Sequence, residues 1–578
     1  MGEARNMTDF RIEELELSAQ AIQTWSAADR AHSNWPVVYT LDDGSDIYIG
    51  ESLNAAARMR QHLESEQKRN LTAVKVVFDE TFNKSACLDL ESYLIKLFAG
   101  DGKYRVLNRN DGIVDADYFL RSEYRQTFEQ VFEELRARAM FMRTLPEITN
   151  ADLFKLSPFK ALNGEQAAAV DTIMKRLFED IGSNVASPLV VQGDPGTGKT
   201  IVAIYLMKMI RDIATMVPGE EPEADSELAE LFSEGNQAIL EDLRVALVVP
   251  QQSLRKSIKA VFRNTQGLCE RMVLSPFEVG ESETRFGLLI VDETHRLNQR
   301  ANQSSGPNNR KFREINERLF GADDDELTQL DWILKQSDHQ VLLIDPYQSV
   351  RPADLSAGTQ RKLISHAQQV ARYVRLWSQM RVAGGPDFVE YIRRILSDRP
   401  PAPQEFSNYE FRLFRDLGSM QSAIAEKEEA VGLARLVAGY AWQWVSKNDP
   451  QAFDIDVDGC MLRWNSTDKD WINSPKAKNE VGSIHTVQGY DLNYAGVIIG
   501  QDLRFDPEQQ RLYLDREKYF DSKGKENNPR RGLKYSDDAI LDFVKNVYSV
   551  LMTRGMLGTY VYVCDPALRN YLSRFIPS

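Results

Sequence analysis

The chain has 578 residues, 43% of them hydrophobic, a formal net charge of −15 and four cysteines. That length leaves room for about three or four domains, and the acidic balance argues against a basic nucleic-acid coat while leaving room for a local cationic groove on an acidic body. Cys87, Cys269, Cys460 and Cys564 lie far apart, which excludes a C-x-x-C zinc site and a disulfide framework; with no long apolar run and a polar start, a reduced, cytoplasmic setting without membrane contact is expected.

Residues 1–35 read as a polar helical segment. Residues 36–115 read as a compact α/β domain. Val37-Val38-Tyr39 and Tyr48-Ile49-Gly50 are short β-type runs around Asp42-Asp43-Gly44-Ser45-Asp46, a hairpin signal. A helix follows that places Arg58 and His62 at i and i+4, on one face. Leu88–Lys96 is an amphipathic helix with Glu91 near its start, and Asn108 follows in Val106-Leu107-Asn108-Arg109. Taken singly, Tyr39 and Tyr48 are ordinary strand aromatics, Arg58 a solvated charge and Glu91 a helix-start charge. Residues 116–161 read as a bridging helix over Tyr118–Met142, a break at Thr144-Leu145-Pro146, and a linker.

Over about Pro36–Asp115 the set resembles the GIY-YIG nuclease family. The first signature keeps only its tyrosine, with Val37 and Val38 in place of Gly and Ile; the second is intact, and Arg58, Glu91 and Asn108 fall in family order. The resemblance implies that Glu91 binds one Mg²⁺ or Mn²⁺, that Tyr39 activates or delivers a water, and that Tyr48 and Arg58 neutralise the scissile phosphate. His62 would assist proton transfer or bind phosphate.

Residues 162–380 alternate strand and helix, with β-rich runs at Leu189–Gln192, Val245–Val249, Leu288–Val291 and Val341–Ile344, as buried parallel strands require. The acidic stretch Glu220–Glu234 reads as an insertion. Residues 381–578 form a second alternating region, with strands expected near Gly459–Trp464, Gly496–Gly500 and Thr559–Val563, and an exposed loop over Asp521–Lys534.

Between the first of these strands and a helix lies Gly193-Asp194-Pro195-Gly196-Thr197-Gly198-Lys199-Thr200, which fits G-x-x-x-x-G-K-[ST]. Glycines let backbone N–H groups curl round phosphate oxygens, and the helix start adds its positive end. Lys199 would reach the β and γ phosphates, and Thr200 would hold Mg²⁺. Leu288–Val291 leads to Asp292, expected to bind Mg²⁺ through water, and Glu293, expected to orient the attacking water. Leu342–Ile344 leads to Asp345 and to Gln348, a candidate γ-phosphate sensor; read alone, this is equally an Asp-Pro turn with a solvated glutamine. His295 and His485 stand alone as polar coupling or surface histidines.

From about Leu162 to Asp565 the chain resembles superfamily one helicases, particularly the Schlafen-type DNA/RNA helicase group. By that resemblance Gln166 recognises adenine, Val249–Leu254 contacts a strand, and Arg381 of Gln379-Met380-Arg381 reaches the γ-phosphate. Gln488 and Gly489 of His485–Asp491 couple phosphates to the strand, and Arg554 of Val550–Gly555 is a second arginine finger. Ile344, where many relatives carry Gly, and Asp491, where many carry Glu, are mild departures.

The expected fold is α/β: a small GIY-YIG domain followed by two RecA-like parallel-sheet lobes. The expected function is an ATP- and Mg²⁺-dependent nucleic-acid motor coupled to an endonuclease, acting on DNA in repair or anti-phage defence. Two alternatives stand beside it: an ATP-sensing switch that gates the nuclease or a partner without unwinding, and a motor whose front domain binds DNA without cutting it.

Overall fold

The computed structural model describes residues 10–66, 68–109, 118–160, 162–183, 188–216, 228–301, 306–379, 382–467, 471–487 and 490–578. The chain divides into two compact units, one of Met1–Ala167, Ile204–Glu241 and Ser257–Arg271, the other of Ala168–Ala203, Asp242–Lys256 and Met272–Ser578.

The first unit holds a five-stranded sheet in the order β1-β4-β2-β3-β5, from β1 (Arg11–Glu16), β2 (Val37–Asp42), β3 (Asp46–Ser52), β4 (Ala73–Phe78) and β5 (Arg105–Val106). The hairpin signal forms β2 and β3. Asp43 Oδ1 accepts from the N–H groups of Ser45 and Asp46, and Gly44 takes a φ of +87° that favours glycine. The leading segment departs from the helical expectation. Arg11–Glu16 pairs antiparallel with β4, and among the described residues of this segment α-helix is confined to Ala19–Ala28, capped by the Ser18 side chain. The open edge of β4 supplies backbone partners for that stretch, a tertiary effect that local helical preference does not carry.

Helix Lys84–Asp101 brings Leu90, Leu94 and Phe98 into one core with Phe128 and Phe132 of helix Arg121–Ala137. The break expected at Thr144–Pro146 starts the short helix Leu145–Asn150, where Glu147 Oε2 accepts from the Thr144 N–H at 2.8 Å. Of the acidic insertion Glu220–Glu234, residues 220–227 lie outside the described residues; Glu234–Leu240 is a helix capped by Ser233.

The second unit carries two parallel sheets. The first comprises β6 (Leu189–Gly193), β7 (Val245–Val248), β8 (Val273–Leu274), β9 (Phe286–Val291), β10 (Ser337–Ile344) and β11 (Tyr373–Leu376), in the order β11-β6-β10-β9-β7-β8 and parallel throughout. The four expected apolar runs are β6, β7, β9 and β10.

The second comprises β12 (Glu410–Phe414), β13 (Ala434–Ala438), β14 (Ile455–Val457), β15 (Cys460–Trp464), β16 (Glu480–Ser483), β17 (Leu492–Ile499) and, beyond the hairpin β18 (Leu503–Asp506) and β19 (Arg511–Leu514), β20 (Gly555–Val563). Its order is β12-β20-β17-β13-β16-β15-β14, and only β14 runs antiparallel to its neighbour.

Asp521–Lys534 is largely the exposed loop expected, but it is tied down as a strap. Asp521 and Asn528 are buried. Asn528 Nδ2 donates to the Arg300 carbonyl at 3.0 Å, Arg530 pairs with Asp325 at 2.7 Å and Asp323 at 3.0 Å, and Arg531 pairs with Glu326. Asp323 is itself held by Nε and Nη2 of Arg300, each at 2.9 Å. Among the described residues no helix is long and apolar enough to cross a membrane.

Candidate functional site

The phosphate-binding loop leaves the end of β6 and enters helix Lys199–Ala214 at Lys199. Gly196 and Gly198 have φ of +85° and +81°, the left-handed backbone that only glycine adopts freely. A Cβ on Gly193 would lie 2.4 Å from Thr197 Oγ1, which donates instead to the Asp194 carbonyl at 2.9 Å. Lys199 Nζ donates to the carbonyls of Gly193 at 2.7 Å and Asp194 at 3.0 Å and lies 3.7 Å from Asp345 Oδ2.

Parallel pairing brings three strand ends to one edge: Ile344 is opposite Gln192, and Leu342 opposite Val291. Ligands of parallel sheets sit at such an edge. Thr200 Oγ1 donates to Asp292 Oδ2 at 2.7 Å. Burial, then the charge of Glu293, raises the Asp292 carboxyl above its usual range. Glu293 has a φ of +50°, rare for a side chain of its size, and its Oε2 lies 2.9 Å from His295 Nε2. Burial works to raise Glu293 too, but His295, with Lys199 and Arg296 beyond, outweighs it and holds this carboxyl below its usual range.

His295 is therefore not a surface histidine: it is fully buried, and its Nδ1 faces the Asp345 N–H at 3.3 Å. Gln348 Nε2 donates to Asp345 Oδ2 at 2.7 Å, so its amide reaches the Lys199 neighbourhood through Asp345. A hydroxyl and a carboxylate side by side at a phosphate loop form the oxygen donor set that suits Mg²⁺.

Gln379 Nε2 donates to the Pro195 carbonyl at 2.6 Å. Arg381, Gln488 and Gly489 lie outside the described residues. Arg554 is buried, and its Nη1 donates to the Tyr490 carbonyl at 3.2 Å. His485 Nε2 lies 2.8 Å from Asp521 Oδ2 in the strap; burial opposes charge on Asp521, but His485 carries its carboxyl down to about 2. Gln166, at the start of helix Gly164–Ser183, exchanges hydrogen bonds with Asn163: its N–H donates to Asn163 Oδ1 at 2.8 Å, and its Oε1 accepts from the Asn163 N–H at 3.2 Å.

The first unit gathers a second cluster. Tyr39, on β2, brings its hydroxyl to 2.7 Å from His62 Nε2. Tyr48, on β3, meets the same imidazole edge-on, with 5.1 Å between ring centroids. Asn54 caps helix Ala55–Glu64, which carries both Arg58 and His62. Arg58 Nη1 donates to Gln61 Oε1 at 3.1 Å. Lys68, which the sequence pattern did not single out, places its ammonium 3.4 Å from the Tyr48 ring centroid. Burial, then the charges of Lys68 and Arg58, pushes His62 down to about 2.

Gly50 is required here, since a Cβ would lie 2.4 Å from the Tyr39 hydroxyl. Asn108 is a brace: Oδ1 accepts from the Ile49 N–H at 3.1 Å and Nδ2 donates to the Ile49 carbonyl at 2.7 Å. Glu91 is half-buried on helix Lys84–Asp101; after burial itself, its charge and that of Glu51, next to Gly50, raise the Cys87 thiol. Among the described residues no group of three or more His, Cys, Asp and Glu side chains is placed to share a metal. Glu91 offers a carboxylate, a ligand type that suits Mg²⁺ completed by water and phosphate.

The chain matches the model of the Schlafen group 3 DNA/RNA helicase domain over residues 187–565. It is 27% identical over 460 residues to the uncharacterized protein YPL245W of Saccharomyces cerevisiae, covering 74% of this chain and 94% of that protein. Among solved structures it is similar to the arterivirus nonstructural protein 10 helicase, at 12% identity and a TM-score of 0.27, spanning 67% of this chain and only 61% of that one. It is similar also to Bacteroides Pif1 bound to ssDNA, at 10% identity and a TM-score of 0.24, covering 67% of this chain and 92% of that one. Scores of this size assign neither fold nor function.

Proposed function

Because the chain belongs to the Schlafen group 3 DNA/RNA helicase domain family, we propose that it is an ATP-driven nucleic-acid motor, joined in residues 36–115 to a GIY-YIG-type endonuclease. The observation that carries the motor is the shared edge of β6, β9 and β10, where Lys199, Thr200, Asp292 and Glu293 converge. Lys199 exchanges the carbonyls of Gly193 and Asp194 for the terminal phosphates. Thr200 and Asp292 hold Mg²⁺, which shields the phosphate charge. Glu293, kept ionised by His295, orients the attacking water. Arg381 and Arg554 supply positive charge to the γ-phosphate when the lobes close.

The nuclease reading is supported by the Tyr39–His62–Tyr48 cluster with its two cations. A neutral His62 accepts the Tyr39 hydrogen and fixes the phenol. Arg58 and Lys68 place positive charge for a scissile phosphate, and Glu91 holds the divalent cation that would polarise it. DNA is the favoured substrate, with a cytoplasmic role in repair or defence against invading DNA.

Both engines are tested on the full-length protein with labelled single-stranded, duplex and forked DNA, with and without ATP and Mg²⁺. Lys199→Ala is expected to lower ATP hydrolysis at least about 100-fold and to abolish strand displacement. Glu91→Ala is expected to abolish cleavage and spare ATP hydrolysis. ATP-dependent cutting without displacement establishes the switch alternative, and cleavage undiminished in Glu91→Ala refutes the nuclease assignment.

A further inference from the structure

The phosphate loop is gripped from outside by a residue with no role so far. Arg393, on helix Gly385–Ile395, donates through Nη1 to Asp194 Oδ1 at 2.9 Å. Arg375, on β11, brings Nη2 to 3.6 Å from the other carboxylate oxygen. The Arg393 guanidinium also lies over the Tyr347 ring, 4.3 Å from its centroid. Tyr347 sits two residues past Asp345, in the turn that follows β10. One planar cation thus touches the loop that holds phosphate and the turn after a neighbouring strand. Charge-assisted bonding fixes one end and stacking the other. Arg393 Nη2 is buried with no hydrogen-bond partner among the described residues.

Arg393 and Tyr347 both line a cavity of about 990 Å³ whose walls set Arg351, Arg394, Arg531 and Tyr535 among the carboxylates of Asp354, Glu390, Asp398 and Asp542, and which includes no residue of the phosphate loop. Guanidinium groups and aromatic rings suit a phosphate-bearing chain with stacking bases. Tyr347 is 51% exposed, so an occupant of the cavity can reach its ring. Moving that ring moves the cation stacked on it, and with it the carboxylate of Asp194.

We propose that Arg393 is a positioning residue that couples a nucleic-acid strand in this cavity to the phosphate loop through the Asp194–Arg393–Tyr347 contact. The inference rests on the motor reading and adds to it the residue that makes hydrolysis respond to the strand.

ATP hydrolysis by the full-length protein is measured with and without a single-stranded thymidine homopolymer, for wild type, Arg393→Ala and Tyr347→Ala. Because Tyr347 is half-exposed, its variant does not threaten the fold. Tyr347→Ala is expected to keep basal hydrolysis within about twofold, and both variants to lose stimulation by the strand about tenfold or more, within the usual range of coupling between sites. If either variant lowers basal and stimulated rates by one common factor, or leaves stimulation intact, the inference is overturned. Wild type that hydrolyses ATP but ignores every single strand refutes the motor reading instead. A double-mutant cycle then decides the contact itself: Asp194→Asn and Arg393→Ala are expected to be non-additive for Mg-ADP affinity, and additivity sinks the proposed link.

Discussion

His62 shows how burial sets chemistry at a single residue. Its folded-state pKa, pushed down to about 2 by burial, Lys68 and Arg58, lies far below the usual histidine range. Below about pH 6.5 the unfolded chain takes up a proton at this position and the folded chain does not, so acid favours unfolding. The contribution is complete above that pH and is lost as pH falls through the window down to about 2, at up to about 1.4 kcal/mol per pH unit. Hydrogen-exchange protection of β2 and β3 is expected to fall more steeply between pH 6.5 and 5 in wild type than in His62→Gln; equal slopes would mean that His62 protonates in place. Residues with a fixed spacing were legible in the sequence: Gly196, Gly198 and Lys199 belong to one loop, and Arg58 and His62 to one helix face. Lys68 was not, because it lies in an irregular turn; His295 was legible as a polar coupling or a surface histidine, and its contacts with Glu293 and with Asp345 just past β10 decide for coupling.

Among the elements, the long apolar strands could be read directly, since a strand covered on both faces must be a continuous hydrophobic run. Edge and one-sided strands could not. β1 is mostly charged, with Ile12 and Leu15 three apart rather than at a strand's spacing of two, and becomes a strand through β4; β12 buries Phe411 and Leu413 but exposes Arg412 between them. The strap over Asp521–Lys534 has the polar composition of a loop, and partners distant in sequence, the carboxylates of Asp323, Asp325 and Glu326 among them, turn it into a fixed element. Each exposed ion pair contributes at most about 1 kcal/mol, but here several share one carboxylate cluster. Arg530→Ala/Arg531→Ala is expected to make the strap several-fold more sensitive to limited proteolysis at low salt. Near 1 M salt, where screening reaches about 3 Å, wild type should approach the variant. Equal cleavage at low salt would show that Asn528 and the buried Asp521 suffice.

For the whole molecule, the phosphate loop and its partner strands all belong to the second unit, while the Tyr39 cluster belongs to the first. Mg-ADP at about 100 times its dissociation constant adds about 2.7 kcal/mol to whatever it binds. Scanning calorimetry is expected to show the transition of the second unit rising with Mg-ADP and falling back in Lys199→Ala; a shift retained in that variant would place nucleotide elsewhere. The α/β class and the two parallel sheets were legible from alternating strand and helix signals, whereas strand order was not, since it depends on which helices cross which face. That order makes the first sheet of the second unit a ruler. Gly193, Asp292 and Asp345 keep their separations only because β6, β10 and β9 are locked in step, Val341 beside both Leu189 and Ile290. A slip of one residue along β10 would carry Asp345 about 3.3 Å, more than a hydrogen-bond length, and turn it to the opposite face. Misfit among the leucines at 342 and 343 therefore endangers the spacing of the chemistry before it endangers the existence of the sheet.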